Sequence, residues 1–112
     1  MEKDVIFSEE SGALRVSLPP EIDHHSAKPI REKTDVEVFR CSPRLLILDF
    51  SAVRFMDSSG IGLILGRAEL CEDMGARIRL EGLSPMQMKI IRLSGIEKIK
   101  NLSISETVVK GR

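Results

Sequence analysis

Residues 44–50, RLLILDF, constrain the fold more than any other segment of the chain. Five of these seven positions are apolar, and Asp49 alone interrupts the apolar run. A near-continuous apolar run of this length is typical of a strand that is covered on both faces or lies at the centre of a sheet. We therefore predict that it is the central strand of the fold.

A hairpin is predicted before this strand. Residues 4–18 begin with apolar side chains, continue through SEESG, and then alternate apolar and polar residues. This pattern indicates two strands joined by a turn, with the second strand half exposed. Pro19 and Pro20 end the second strand, because a proline cannot donate to a sheet ladder.

Helix signals stand on both sides of the central strand. Residues from about 25 to 39 are predicted to form an amphipathic helix, with Asp23 and Ser26 as its start residues. The clearest helix spans residues 85–94: a serine cap and a proline begin it, a glutamine closes a capping box, and a glycine follows its end.

Strand and helix patterns alternate through the rest of the chain. Residues 76–82 alternate apolar and polar side chains, which predicts a further strand. The segment around Leu102 and Ile104 predicts a short last strand or an irregular segment. With 112 residues the chain is long enough for one domain with a core and too short for two. The expected architecture is a single α/β domain over residues 1–112.

The charge balance argues against nucleic-acid and membrane partners. Seventeen Lys and Arg residues equal seventeen Asp and Glu residues, so the formal net charge is zero. Bulk attraction to polyanions is therefore absent. No apolar run approaches the roughly 18 residues of a membrane span, and the first residues do not resemble a signal peptide. We expect a soluble, cytoplasmic protein.

The cysteines and histidines do not form a recognisable metal site. Cys41 and Cys71 are thirty positions apart and adjoin apolar runs, so we expect reduced, buried thiols. His24 and His25 are adjacent but lack a third ligand at the spacing that zinc requires. We expect no metal and no cofactor.

The stretch FMDSSGIGLILG, residues 55–66, places more polar groups at a helix start than capping requires. One acceptor suffices as a cap, and either Asp57 or Ser58 could supply it. The N–H donors and the dipole of a helix start favour an anion, so a phosphate on a serine there would not damage the fold. It would add about 1.5 to 2 negative charges beside Asp57 and weaken an acidic or apolar interface. The stretch therefore indicates a reversible binding switch.

The helix predicted over residues 57–75 carries two apolar stripes. The first, which we expect to pack on the sheet, consists of Ile61, Ile64, Leu65, Ala68 and Cys71. The second, with Arg67 beside it, consists of Leu63, Leu70 and Met74. Two interpretations of the second stripe remain open: it packs on a neighbouring helix, or part of it, especially Leu63, lies in an exposed patch for another protein.

Four segments resemble one known family. FMDSSGIGLILGR resembles the signature of the STAS-domain anti-sigma factor antagonists, and EIDHHSA, RLLILDFSAVRF and LSPMQMKIIRLSGIEKI stand where that family has similar segments. The resemblance spans roughly residues 4–104 and is strongest to the sporulation members. It implies the STAS fold, an α/β arrangement with a small mixed β-sheet of four to five strands flanked by about four α-helices. It also implies that the domain is not an enzyme.

The resemblance implies a cycle of binding and release. In that family the unphosphorylated protein binds an anti-sigma factor serine kinase, which is ATP-bound and has a Bergerat-type fold, and so releases a sigma factor. The kinase phosphorylates the first serine after the aspartate, and a PP2C-type serine phosphatase removes the phosphate. That serine is Ser58 in this sequence.

The family motif also assigns partner contacts to individual positions. Asp23 and His24, followed by His25, match a family loop beside the phosphorylated serine, although Asp23 could equally be a plain helix cap. Leu63 is added to the predicted partner contacts because it lies on the second apolar stripe, near the start of the helix. The predicted partner-binding residues are Asp23, His24, Asp57, Ser58, Ser59, Gly60 and Leu63.

Two other functional classes fit the sequence less well. A serine hydrolase would have to combine Ser58 or Ser59 with His24 and Asp23, but no GxSxG elbow is present and adjacent residues do not easily form a proton relay. A nucleotide-binding module is suggested by the glycines at the start of the helix. Their spacing fits neither known phosphate-binding motif, and close packing of the helix on the sheet would explain them as well.

A third alternative keeps the fold and changes the regulation. The domain would then be a STAS scaffold or a sensor-complex subunit that binds a partner without a phosphorylation switch. The presence of both Ser58 and the DHH segment favours the switch.

Overall fold

Strands and helices alternate after an initial hairpin, as the sequence predicts. A computed structural model describes residues 4–105 of the chain. In chain order, the elements are β1 (Ile6–Glu10), β2 (Ala13–Ser17), β3 (Glu21–Ile22), α1 (His24–Cys41), β4 (Leu45–Asp49), β5 (Phe55–Met56), α2 (Ser59–Asp73), β6 (Arg77–Glu81), α3 (Pro85–Ser94), a 3-10 turn (Ile96–Lys98) and β7 (Leu102–Ile104).

The predicted central strand lies at the centre of a five-stranded sheet. The strand order is β1-β2-β4-β6-β7, with β1 antiparallel to β2 and all other neighbours parallel. A separate two-stranded ribbon pairs β3 with β5. The hairpin turns through Ser11 and Gly12, which both have positive φ, as a two-residue turn of type I′ requires.

One face of the sheet is the core of the molecule. The alternate residues of β2, β4 and β6 that point to this face are fully buried, and side chains of all three helices join the same apolar cluster. Those strand residues are Leu14, Val16, Leu46, Leu48, Ile78 and Leu80.

The opposite face of the sheet is polar and only half buried. Arg15 lies between two carboxylates, 3.1 Å from Asp49 and 2.9 Å from Glu81. These neighbours raise the pKa of the Arg15 guanidinium, with the hydrogen bond to Glu81 as the main cause. Ile47, in register with Arg15 and Arg79, is buried on this face. The sheet therefore has one apolar face and one charged face.

Local signals located the helix boundaries well. The helix predicted at 85–94 has these bounds in the structure, and Ser84 and Gln87 exchange the hydrogen bonds of a capping box. The helix predicted at about 25–39 begins one residue earlier and ends two residues later. Residues 4–105 contain three α-helices and one 3-10 turn, so the expected count of about four helices is slightly high. None of these helices is long and apolar enough to cross a bilayer.

The two cysteines differ in their surroundings. Both are free thiols. Cys71 is buried, and burial raises its pKa to about 11. Cys41 is only half buried at the end of α1, so the expectation of a buried thiol is wrong there. Its position in the last turn of an otherwise exposed helix end explains the difference.

We expect the core to tolerate truncation far less than the helix surface does. Leu46 is fully buried in β4, whereas Leu93 on α3 is 81% exposed. Leu46→Ala should lower the free energy of unfolding by about 2 to 5 kcal/mol, because it removes buried methyl groups and leaves a cavity. Leu93→Ala should change it by less than about 0.5 kcal/mol. Urea denaturation measures both values, and equal losses would contradict the placement of Leu46.

Candidate functional site

The short ribbon of β3 and β5 brings together two segments that are distant in the sequence. Glu21 pairs with Phe55 and Ile22 with Met56, in parallel. The pairing continues one step beyond β5, where the Asp57 N–H donates to the Ile22 carbonyl at 3.1 Å. Because α1 and α2 begin directly after the two strands, their N-termini lie side by side.

Pro20 anchors the same ribbon from the other end. Its carbonyl accepts hydrogen bonds from the N–H groups of Arg54, at 2.7 Å, and Phe55, at 3.1 Å. The Pro19-Pro20 pair thus ends β2, as predicted from the sequence, and also supplies an acceptor that holds β5 in place.

Asp23 is a helix cap, as its local sequence suggested. Its Oδ1 accepts hydrogen bonds from the backbone N–H groups of His25 and Ser26, both at 2.9 Å, and the Asp23 N–H donates to the Ser26 hydroxyl at 3.0 Å. The bond from the Ser26 N–H is the main reason why the pKa of Asp23 lies below its ordinary value. The carboxylate therefore carries its charge at the start of α1, where the helix dipole stabilises it.

Asp57 and Ser58 have different roles at the start of α2. The Asp57 Oδ1 accepts a hydrogen bond from the Ser59 N–H at 2.8 Å, so Asp57 satisfies one of the free donors of the helix start. Ser58 is the N-cap residue by position, but its side chain makes no capping hydrogen bond. Its hydroxyl is exposed and is not needed for the local fold.

His24 and His25 are exposed residues in the first turn of α1. Their ring centroids are 4.2 Å apart, with 34° between the ring planes. Within residues 4–105, no group of three or more His, Cys, Asp or Glu side chains is arranged to hold a metal ion.

Gly60 is required by close packing, whereas Gly62 and Gly66 are not. A Cβ at Gly60 would lie 2.4 Å from both the Cγ and the Sδ of Met56. A Cβ at Gly62 or Gly66 would meet no atom within 4 Å. Close packing therefore explains the glycine at position 60 alone.

The prediction that Leu63 lies in an exposed patch is wrong. Leu63 is 4% exposed and belongs to the core cluster, whereas Leu65, which we expected to face the sheet, is 45% exposed. The reason is that α2 packs against both the sheet and α1, which shifts its buried arc toward the second stripe. Leu70 and Met74 of that stripe are partly buried against the same core cluster, and α2 contacts α1, which agrees with the other interpretation, packing on a neighbouring helix.

The exposure of two apolar side chains near the site was not predicted from the sequence. Phe55, two residues before Asp57, is 52% exposed, and Leu65 follows Ser58 by about two helical turns. The position of Phe55 beside the motif is a signal that could have identified it. An exposed aromatic side chain next to a polar helix start is a usual anchor in protein interfaces.

An ion pair between a buried arginine and a half-buried aspartate joins the two helices whose starts form the site. Arg67 on α2 is 5% exposed; its Nε lies 2.9 Å from Asp35 Oδ1, and its Nη2 donates to Asp35 Oδ2 at 3.3 Å. Burial lowers the pKa of the Arg67 guanidinium and raises that of the Asp35 carboxyl, against their mutual attraction. The pair therefore holds α1 and α2 in one relative position at a cost in desolvation.

The arrangement is suited to binding a macromolecule. The Asp23 Oδ1 accepts from the backbone N–H groups of His25 and Ser26, and among the hydrogen bonds of the described residues none joins Asp23 to the His24 ring, as a hydrolase relay would require. Two surface depressions, of about 250 and 360 Å³, are lined by residues of the β1–β2 hairpin, of α1 and of the loop that follows α1, and by none of the predicted site residues. What the site presents is an exposed hydroxyl at a helix start, flanked by apolar and charged groups.

The STAS domain model matches residues 5–110 of the sequence. The chain belongs to the STAS domain family. An anti-sigma F factor antagonist from Paenibacillus polymyxa is 31% identical over 99 residues, which cover 88% of this chain and 85% of that protein. The family assignment agrees with the fold, with its parallel strands and intervening helices.

Two solved structures resemble the fold closely. The anti-sigma factor antagonist SpoIIAA in its unphosphorylated form superimposes with a TM-score of 0.77 at 28% identity, covering 93% of this chain and 90% of that chain. The phosphorylated form of SpoIIAA from Bacillus gives a TM-score of 0.71 at 28% identity, covering 93% of both chains. The same fold is thus found in a relative that exists with and without a phosphate.

The glycines of α2 should respond oppositely to alanine. Gly60→Ala should lower the free energy of unfolding by roughly 1 to 3 kcal/mol, because the new methyl group overlaps Met56. Gly62→Ala should raise it by about 0.5 to 1 kcal/mol, since alanine favours the helix and meets no neighbour. Thermal and urea denaturation measure both changes. A stabilising Gly60→Ala would contradict the close contact.

Proposed function

We propose that the protein is an anti-sigma factor antagonist that binds its partner when unphosphorylated and releases it when Ser58 carries a phosphate. It acts as a binding module, in the cytoplasm. The observation that carries the proposal is the free, exposed hydroxyl of Ser58 beside an aspartate that already caps the helix. The anti-sigma F factor antagonist from Paenibacillus polymyxa supports the assignment of function.

The contact surface consists of the starts of α1 and α2. It includes Asp23, His24, Asp57, Ser58 and Ser59, with Gly60 holding the helix close to the ribbon through its contact with Met56. We add Phe55 as the apolar anchor. Leu63 is left out because it is buried.

Phosphate on Ser58 weakens binding through charge. A phosphoserine adds about 1.5 to 2 negative charges at a position where Asp57 already contributes one. The dipole of α2 favours an anion at its start. The first N–H groups of the helix already have acceptors, since those of Ser59 and Gly60 donate to Asp57. The fold thus survives the modification, whereas an acidic partner surface is repelled and an apolar one would have to bury the charge. SpoIIAA in its phosphorylated form is a relative that keeps the same fold with the phosphate.

The enzymes of the cycle follow from the family resemblance. The partner is an anti-sigma factor that is itself a serine kinase with bound ATP and a Bergerat-type fold, and a PP2C-type serine phosphatase reverses the modification. Binding of the antagonist releases a sigma factor. No part of this cycle requires the chain to bind nucleic acid or a membrane.

We expect the anti-sigma factor encoded with this protein to add a single phosphate at Ser58 in the presence of Mg·ATP. Intact-mass measurement should show one added phosphate for the wild type and for Ser59→Ala, and none for Ser58→Ala. The Ser59 variant is the matched control, because it removes the adjacent hydroxyl from the same turn. A phosphate on Ser58→Ala would place the acceptor elsewhere. Binding without phosphate transfer to the wild type would favour the scaffold alternative.

Charge alone at position 58 should reduce binding. Ser58→Asp should weaken the affinity for the anti-sigma factor by at least about tenfold, which corresponds to ~1.4 kcal/mol. Ser42→Asp is the control: it adds the same charge at the far end of α1, where the left-handed backbone tolerates aspartate. Isothermal titration calorimetry gives both affinities. If Ser58→Asp binds as tightly as Ser42→Asp, repulsion is not the mechanism of release.

A further inference from the structure

The β3–β5 ribbon brings the chain segments that contain His24 and Ser58 together. Glu21 pairs with Phe55 and Ile22 with Met56. The hydrogen bond from the Asp57 N–H to the Ile22 carbonyl, at 3.1 Å, keeps the two segments together one step past β5. His24 then begins α1, and Ser58 is the N-cap residue of α2. The two residues therefore stand at neighbouring helix starts.

The caps of the two helices leave this imidazole available. Asp23 accepts its hydrogen bonds from the backbone N–H groups of His25 and Ser26, and Asp57 accepts from the Ser59 N–H. The exposed ring of His24 stacks against that of His25. Neither imidazole is held by a capping carboxylate in the hydrogen bonds above, and Ser58 at the neighbouring helix start is exposed as well.

We propose that His24, with His25 stacked on it, receives the phosphate of phosphorylated Ser58. The proposal rests on the phosphorylation put forward above and names the group of this chain that recognises it. An imidazolium donates a charge-assisted hydrogen bond to a phosphate oxygen, and a doubly charged phosphate within about 4 to 6 Å favours the protonated ring. Phosphorylation at position 58 and protonation at position 24 are therefore coupled.

Other charged residues on the adjoining elements change the strength of this coupling but not its signature. Glu21 and Asp23 on the α1 side, and Asp57 before α2, are negative. Lys28, one turn along α1, and Arg54, before β5, are positive. Histidine and the second ionisation of phosphoserine are the groups whose ordinary pKa values lie near pH 6 to 7. A change near neutral pH therefore reports the histidines and the phosphate.

The coupling has a definite sign. The phosphate raises the pKa of His24, and the imidazolium lowers the second pKa of the phosphate by the same linkage. Salt screening weakens the attraction between these exposed charges without changing its sign. We expect the pKa of His24 to rise on phosphorylation, with a smaller rise for His25.

The test is an NMR pH titration of the full chain with phosphoserine incorporated at position 58 during synthesis. Proton and carbon resonances of the two imidazoles give the histidine pKa values, and the ³¹P resonance gives that of the phosphate. The unmodified chain is the first control. The second control carries phosphoserine at position 42, eighteen residues along α1 and about 27 Å from His24, beyond the screening length at physiological salt.

Each outcome decides the proposal. A rise in the pKa of His24 for phosphoserine at 58 but not at 42, together with a ³¹P pKa that increases in His24→Gln, supports it. No rise at His24, an equal rise with phosphoserine at 42, or an unchanged ³¹P pKa in His24→Gln would overturn it. No kinase takes part in this experiment. A failed titration therefore counts against the histidine contact alone, and a failed phosphorylation assay against the proposed function.

Discussion

The pairing of two strands of two residues each, β3 and β5, is the interaction on which the candidate site depends. Backbone hydrogen bonds from residues 54, 55 and 57 to the carbonyls of Pro20 and Ile22 hold it together. Without that pairing, the loop that precedes α1 and the motif that opens α2 would be separate surface segments more than thirty residues apart. With it, two helix N-termini, both with positive dipole ends, lie next to each other at one edge of the molecule.

At the start of α2, the residues that hold the helix in place are not the residue that can be modified. Asp57 satisfies a helix donor, and Gly60 lets the helix approach Met56 more closely than any side chain would allow. Ser58 does neither, so its hydroxyl can be modified at little cost to the fold. This division answers why the motif contains more polar groups than capping needs. It also explains why a modification there acts on binding partners and leaves the core unaffected.

Local sequence signals made the helix boundaries predictable. Features that depend on tertiary packing could not be predicted from the sequence. The cap, proline and glycine around α3 determine its bounds without reference to any other element. The apolar run of β4 likewise identified the central strand. The burial of Leu63 and the exposure of Leu65 could not be read from a helical wheel, because they depend on where α1 lies beside α2. The β3–β5 ribbon could not be predicted from the sequence either, because a strand of two residues is too short to show an alternation of apolar and polar side chains.

The ion pair between the buried Arg67 and the half-buried Asp35 ties the rotation of α2 to α1. Ser58 precedes Arg67 by nine residues, about 13 Å along the helix axis. Apolar contacts between helices tolerate small rotations, because they have little directionality. A buried guanidinium that turned away from its carboxylate would be left uncompensated, which typically costs 3 to 5 kcal/mol. A charge in the interior thus adds a directional constraint to the apolar contacts that set the rotation of α2. The same constraint acts on the direction in which the serine faces a docking protein.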